Sequence, residues 1–221
     1  MKVRVPSVFP SPLQTPQSED YVVLGGEPSL ELMLDSYSQG IFPWPDPSYP
    51  HLIWSSPAER GILRFKDFRV SRSLQKFLRN NSFQVSFDLA FERVVRECAT
   101  AARPGQKGTW ITPELIKGYL ELFSVGCAHS VEVWEGETLV GGVYGVYVKG
   151  VFSAESMFYK RPNASKLALA RLIEKLQTMG LEFLDIQVLS PHMQAMGAQA
   201  IKRSLFLKMI RDLPLERLGR F

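Results

Sequence analysis

Apolar side chains recur along this chain with two different periods, and the changes of period mark its elements. Leu30, Met33, Leu34 and Tyr37 fall at helical spacing, with Ser29 set to cap and Gly40 to stop, which predicts a helix over 27–39. ILRFKDFRV (62–70) and FQVSFD (83–88) read as strands. SRSLQKFLRN (71–80), capped by Ser71, and LAFERVVRECA (89–99) read as helices. PELIKGYLELFSVG (113–126) is a further helix, with Pro113 in its first turn and Gly126 closing it. Residues 128–159 alternate with period two, broken by turns at Glu135–Gly136 and Lys149–Gly150, which predicts a strand meander. A helix over 164–180 and a strand over 181–190 complete the plan.

A meander followed by a helix and a further strand implies an α+β or mixed-sheet domain with helices packed on the sheet. The chain before it has a different character. Pro6, Pro10, Pro12 and Pro16 predict an extended, irregular lead-in over 1–20. GIFPWPDPSYPHLIWSSP (40–57) then holds five prolines and two tryptophans, a loop that can line a recognition surface or fill the core of a small domain. The expected organisation is a small N-terminal domain over 1–62 and a larger one over 63–221.

Composition narrows the class. With 221 residues, 45% hydrophobic and 22% charged, the chain is of ordinary globular make-up and can bury a real core. The net charge of +4 leans toward an anionic partner without requiring one. Cys98 and Cys127 stand in separate segments without metal or redox spacing, as free thiols in a reducing compartment would. The opening MKVRVPSVFPSP lacks the apolar stretch of a signal peptide, and no apolar run is long enough to span a bilayer. A cytoplasmic protein with no membrane partner is expected. His51, His129 and His192 are scattered, so no metal or catalytic-triad role is assigned to them.

Three stretches carry possible chemistry. In LEFLDIQVLS, Asp185 and Gln187 are two apart and share one strand face, which is either a solvated face or a paired site. Glu155 sits in VFSAESMF among apolar and small residues, where a carboxylate is costly to bury alone; it faces a polar cleft or a structural ion pair. FRVSRSLQKFLRN carries Arg69, Arg72, Lys76 and Arg79, the last three on one helix face. A solvated helix face and a phosphate-binding surface both look like this.

GIFPW, GTWITPELI, AHSVEVW, LVGGVYGV, FSAESMF, NASKLAL and LDIQVL occur here in one order. Together they closely resemble the leucyl/phenylalanyl-tRNA–protein transferase family, over roughly residues 23–200. The resemblance implies a cytoplasmic enzyme that moves leucine or phenylalanine, and possibly methionine, from aminoacyl-tRNA to proteins beginning with arginine or lysine, marking them for degradation. It implies a small N-terminal domain followed by a mixed-sheet domain similar to GNAT-type acetyltransferases. Aminoacyl-tRNA is then a substrate, and no cofactor or metal is expected. Asp185 and Gln187 match the family's catalytic pair, with Gln187 orienting the attacking amine and Asp185 polarising Gln187 or relaying the proton; Glu155, the third expected catalytic residue, would hold a substrate amine or the acceptor's basic side chain. Trp44, Trp110, Phe152, Met157 and Leu184 match its aminoacyl pocket, and Arg69, Arg72, Lys76 and Arg79 become tRNA contacts. Val143 stands where a methionine is usual and Ile53 where one of a tryptophan pair is usual, so a roomier pocket is expected. Two rivals remain. An acetyl-CoA-dependent enzyme needs a glycine-rich pyrophosphate turn, and KRPNASKLA has no glycine. A non-catalytic tRNA- or peptide-binding module is disfavoured by the presence of Asp185, Gln187 and Glu155 together.

Overall fold

A computed structural model of the chain describes residues 7–46, 49–101, 109–213 and 221. Residues 1–6 of the expected lead-in lie outside them. The lead-in from residue 7 is more ordered than its prolines suggest. Phe9 and Pro12 are buried, Pro12–Gln14 forms a 3-10 turn, and the Arg203 guanidinium donates to the carbonyls of Pro12 and Thr15 at 3.1 and 2.8 Å.

The strands β1 (Tyr21–Leu24), β2 (Phe42–Pro43) and β3 (Ile53–Ser55) make a small antiparallel sheet of order β1-β3-β2. The helix α1 (Leu30–Ser38) lies between β1 and β2 in the chain, and the Ser29 side chain accepts from the Leu32 amide at its N-terminus. β4 (Glu59–Arg64) then opens the main sheet. It begins and ends earlier than the expected strand over 62–70, because Phe65–Asp67 coil into a 3-10 turn. Next come α2 (Arg72–Asn80), β5 (Gln84–Phe87), α3 (Phe91–Thr100) and α4 (Pro113–Ser124). Ser71 and Thr112 cap α2 and α4 through their side chains, satisfying amides that a helix start leaves open.

The meander is β6 (Ala128–Glu135), β7 (Thr138–Val148) and β8 (Val151–Tyr159), followed by α5 (Ala164–Thr178) and β9 (Phe183–Gln187). A short helix α6 (Pro191–Ala195), a strand β10 (Gln199–Lys202) and a helix α7 (Arg203–Arg211), none of them anticipated from the sequence, complete the described chain. The main sheet has the order β10-β4-β9-β8-β7-β6-β5, and only β8 and β9 run parallel. A mixed α+β architecture results.

The sheet is covered on both faces. Leu63, Val131, Val143, Phe152 and Leu184 pack with the apolar side of α5. Tyr144, Val146 and Phe158 pack with α1, α3 and α4 through Met33, Val94, Leu115 and Tyr119. Because α1 belongs to this second core, the N-terminal segment shares its hydrophobic interior with the main sheet. Gly118 permits the close approach: a Cβ there would lie 2.5 Å from the Pro28 carbonyl oxygen.

Two irregularities bear on function. In β8 the register passes from Tyr144↔Ser156 to Gly145↔Ala154, so Glu155 is the extra residue of a bulge. Gly145 makes the bulge possible, since a Cβ there would meet the Ser153 carbonyl oxygen at 2.3 Å. In β9 the register against β4 passes from Ile62↔Asp185 to Gly61↔Gln187, and Gln187 adopts a left-handed backbone with φ of 57°. The parallel ladder between β8 and β9 is registered only at Ser153↔Asp185, next to both irregularities.

Candidate active site

The bulge on β8 and the kinked end of β9 aim Glu155 and Gln187 into a cleft of about 720 Å³ between the small sheet and the main one. Tyr21, Trp44 and Ile53 from the N-terminal segment form one side, and Trp110 reaches it from the residues before α4. At the floor, Gln187 Nε2 donates to Glu155 Oε1 at 2.7 Å, and Tyr119 Oη donates to the other carboxylate oxygen at 2.8 Å. Burial pushes the Glu155 carboxyl from its ordinary 4.5 up to about 7, with the hydroxyls of Tyr119 and Tyr37 and the Arg60 charge pulling down and Asp185 pushing up. Burial first, and then the charge of the same carboxylate, hold the phenols of Tyr37 and Tyr119 well above the usual tyrosine value.

Asp185 lies one layer beneath. It is fully buried and accepts a fork from Arg60, Nε to Oδ1 at 2.7 Å and Nη2 to Oδ2 at 2.6 Å. Ser153 Oγ donates to Oδ2 at 2.8 Å and the Gln187 amide to Oδ1 at 3.0 Å. Arg60 is itself sandwiched between the rings of Phe42 and Phe206, at 4.7 and 4.5 Å, and its remaining arm donates to the Gly40 carbonyl. Asp185 and Gln187 do stand together, but through the Gln187 backbone. The carboxamide of Gln187 turns to Glu155 instead of Asp185, so the expected polarisation of Gln187 by Asp185 finds no side-chain contact.

The expected pocket residues divide. Trp44, 38% exposed, and Trp110 line the cleft. Val143, Phe152 and Leu184 are buried under α5 on the opposite face, and Met157, the cross-strand neighbour of Val143, packs against the same core. These four are absent from the cleft wall. The physical reason is strand alternation: Phe152 precedes the bulge and Leu184 is offset by one from Asp185, so both point away from the face that carries Asp185. Arg69, Arg72, Lys76 and Arg79 are all exposed, and among the described residues none of them is in an ion pair.

Arg60, Tyr119, Tyr37 and Ser153 were not singled out from the sequence. Arg60 offered one signal, a cation directly before the apolar run of Ile62 and Leu63 on its strand. Tyr119 offered none, because on α4 it falls among Leu115 and Leu122 and looks like any core aromatic. Among the described residues no group of three or more His, Cys, Asp or Glu side chains is arranged to hold a metal, and no helix is long and apolar enough to cross a membrane. Cys98 is buried and Cys127 half-buried, both as free thiols.

A carboxyl that burial pushes up to about 7, at the floor of a cleft lined by tryptophans, marks a candidate enzyme site. The particular family follows from comparison with known proteins. The model described as leucyl/phenylalanyl-tRNA protein transferase matches residues 62–211, and that of the same family's N-terminal domain matches residues 26–58. This chain belongs to that family. Curated relatives named leucyl/phenylalanyl-tRNA–protein transferase include one from Anaeromyxobacter sp. (strain K), 45% identical over 90% of this chain and 84% of its own length. Another, from Oleidesulfovibrio alaskensis, is 44% identical over 90% of this chain and 82% of its own. Among solved structures, L-PGS from Bacillus licheniformis is 16% identical with a TM-score of 0.40, and the match covers 61% of this chain and about half, 48%, of that one. That likeness is too loose to bear on function.

Proposed function

We propose that this protein moves leucine or phenylalanine, with methionine as a further donor residue, from aminoacyl-tRNA onto the N-terminal amine of proteins beginning with arginine or lysine. The product is a degradation signal, and the site of action is the cytoplasm, where charged tRNA is available. The observation that carries the reading is the family match over residues 26–58 and 62–211, with Glu155 and Gln187 on one cleft floor inside it. The division into an N-terminal unit over 1–62 and a GNAT-like catalytic unit over 63–221 belongs to the same proposal.

The reaction is aminolysis of an ester. The acceptor's amine attacks the carbonyl that joins the amino acid to the terminal ribose, and the ribose oxygen leaves. The ester is already activated, so neither ATP nor a metal is required. What the protein supplies is alignment, worth about 7–11 kcal/mol when the near-attack geometry is good. Gln187 and Glu155 meet the amine at the cleft floor, while Trp44 and Trp110 hold the aminoacyl end of the tRNA. The amino acid's side chain lies in the same cleft, against the apolar lining that Phe42, Ile53 and Ile186 add beside the two tryptophans. An apolar hole of this kind separates side chains differing by one methylene by only about 1–3 kcal/mol, which fits a broad hydrophobic donor range.

An acetyl-CoA-dependent reading has less support. The N-terminus of α5 follows Asn163 with no glycine, and it is pressed against β7, where a Cβ on Gly141 would meet Ala164 Cβ at 2.6 Å. The transfer assay decides the matter. Labelled leucyl-tRNA is incubated with reporter proteins that differ only in their first residue. Label on the arginine and lysine reporters and none on a methionine reporter is the expected result; no label on any of them would refute the function.

The exposed cations on and before α2 are the proposed tRNA contacts, reading the acceptor stem by shape and phosphate. Replacing Arg72, Lys76 and Arg79 with alanine is expected to weaken aminoacyl-tRNA binding and to flatten its log–log salt dependence by roughly two to three units. All three side chains are exposed, so stability is expected to stay within about 0.5 kcal/mol of the parent. Binding measured across a salt series checks this, and an unchanged slope would move the tRNA to another face.

A further inference from the structure

We infer that Glu155 is the residue that accepts the attacking amine's proton, that Tyr119 is its positioning residue, and that Arg60 keeps Asp185 out of proton transfer. This rests on the transfer reaction proposed above and assigns its proton.

The geometry separates the two carboxylates. Asp185 receives four donors: Arg60 twice, Ser153 Oγ and the Gln187 amide. A carboxylate offers about four lone-pair sites, so Asp185 is saturated, and it has no exposure to the cleft. To take a proton it would have to give up a charge-assisted bond in a buried setting. Glu155 receives Gln187 on one oxygen and Tyr119 on the other, with the Tyr37 hydroxyl beside them; against about four lone-pair sites this still leaves room for a donor from the cleft that it lines.

The groups facing Glu155 come from every element around it. They are Tyr37 of α1, Tyr119 of α4, Asp185 and Gln187 of β9, and Arg60 of β4 behind Asp185, with Tyr144 of β7 packed against the two tyrosines. Asp20 and Asp46 share the cleft lining. The chemistry closes without any outside reagent. The neutral amine forms the N–C bond to the ester carbonyl, the surplus nitrogen proton passes to the Glu155 carboxylate, and as the C–O bond to ribose breaks the protonated Glu155 returns that proton to the leaving oxygen. A carboxyl that titrates at about 7 suits both halves of the exchange. Tyr119 is fully buried with its ring edge-on to Tyr144 at 5.1 Å, so its hydroxyl is fixed in place to orient Glu155.

The sign of the Tyr119 effect is defined. Its hydroxyl favours the ionised carboxylate, so Tyr119→Phe raises the Glu155 titration point. The experiment is single-turnover transfer from leucyl-tRNA to an arginine-starting reporter across pH 5.5–9, alongside carbon NMR titration of the labelled glutamate carboxyls in wild type, Tyr119→Phe and Glu155→Gln. Wild type is expected to show a glutamate titrating near 7 that Glu155→Gln removes, and Glu155→Gln to slow transfer by about 100-fold or more. Tyr119→Phe is expected to move both the NMR titration and the acid limb of the rate up by about half a pH unit or more, which a purely structural role would not do. A Glu155 that titrates near its ordinary 4.5 in wild type overturns the inference, whatever becomes of the variants. So does a Tyr119→Phe limb that stays in place. Absence of transfer by wild type would instead overturn the proposed function, and the carboxyl titration would still be read.

Discussion

Replacing Arg60 by methionine is expected to cost about 3–5 kcal/mol of folding stability, the usual penalty for stranding one half of a buried ion pair. Both partners are about 1% exposed, and the pair is the only charge balance that Asp185 has at close range among the described residues. Without the guanidinium, Asp185 keeps the Ser153 hydroxyl and the Gln187 amide but no cation, and the Gly40 carbonyl loses its donor. The stack between Phe42 and Phe206 is lost as well. A domain of this size holds about 5–15 kcal/mol in all, so the loss is a large fraction of the total. The double change Arg60→Met with Asp185→Leu is expected to recover most of it, because well-packed apolar replacements of a buried pair are commonly neutral. It is not expected to recover activity. Asp185 holds the Gln187 amide in its left-handed turn, and without that bond the carboxamide has no reason to face Glu155. Denaturant titration of the two singles and the double measures the coupling; a single-variant loss under about 1 kcal/mol would mean that the pair is not closed as described.

Stability is also expected to fall as pH rises from about 4.5 to 7, and Glu155→Gln to remove that fall. The folded-state carboxyl titrates at about 7, above its ordinary 4.5, so over that interval the folded chain keeps a proton that the unfolded chain has released. Stability declines wherever the native state binds more protons, and this carboxyl alone accounts for up to about 3 kcal/mol between the two limits. For a chain of this length the difference is several degrees in Tm, at roughly 2–4 °C per kcal/mol. His192 works in the opposite direction over part of the same range, because desolvation and Lys166 hold it below its usual value. The contrast between wild type and Glu155→Gln, melted at pH 5 and at pH 8, therefore isolates Glu155. Parallel pH dependence in the two proteins would show that Glu155 ionises as freely as in the unfolded chain.

What the sequence disclosed was local or periodic. Ser29, Ser71 and Thr112 cap helices, and a capping side chain acts within three residues of its own position. The meander over 128–159 showed itself by alternation, which needs no knowledge of the rest of the chain. The strand β4 was only half legible, since it starts at Glu59, between the proline-rich loop that ends at Pro57 and the apolar run from Ile62, and it turns into a 3-10 coil at Phe65. β2 has two residues and β3 three, too few for any period to show.

The site divided in the same way. Glu155 was recognisable as an isolated carboxylate in an apolar strand, and Asp185 and Gln187 as a polar pair. The bulge at Glu155 shifts period two by one residue and hides how Phe152 and Met157 are faced relative to it, whereas the alternation that pairs Asp185 with Gln187 already turns Leu184 to the other side. Arg60 lies 125 residues before Asp185, and only the folded sheet sets β4 beside β9. Tyr119 is polar only at its tip, and its spacing on α4 matches a core residue.

The most direct measurement is a crystal structure of the protein with a phenylalanyl-adenosine analogue whose ester is replaced by a stable amide. The expected result is the analogue in the cleft between Trp44 and Trp110, with its carbonyl carbon within reach of an amine that hydrogen-bonds Glu155 and Gln187. An analogue seated on another face, with the cleft floor unchanged and solvent-filled at saturating ligand, would contradict it.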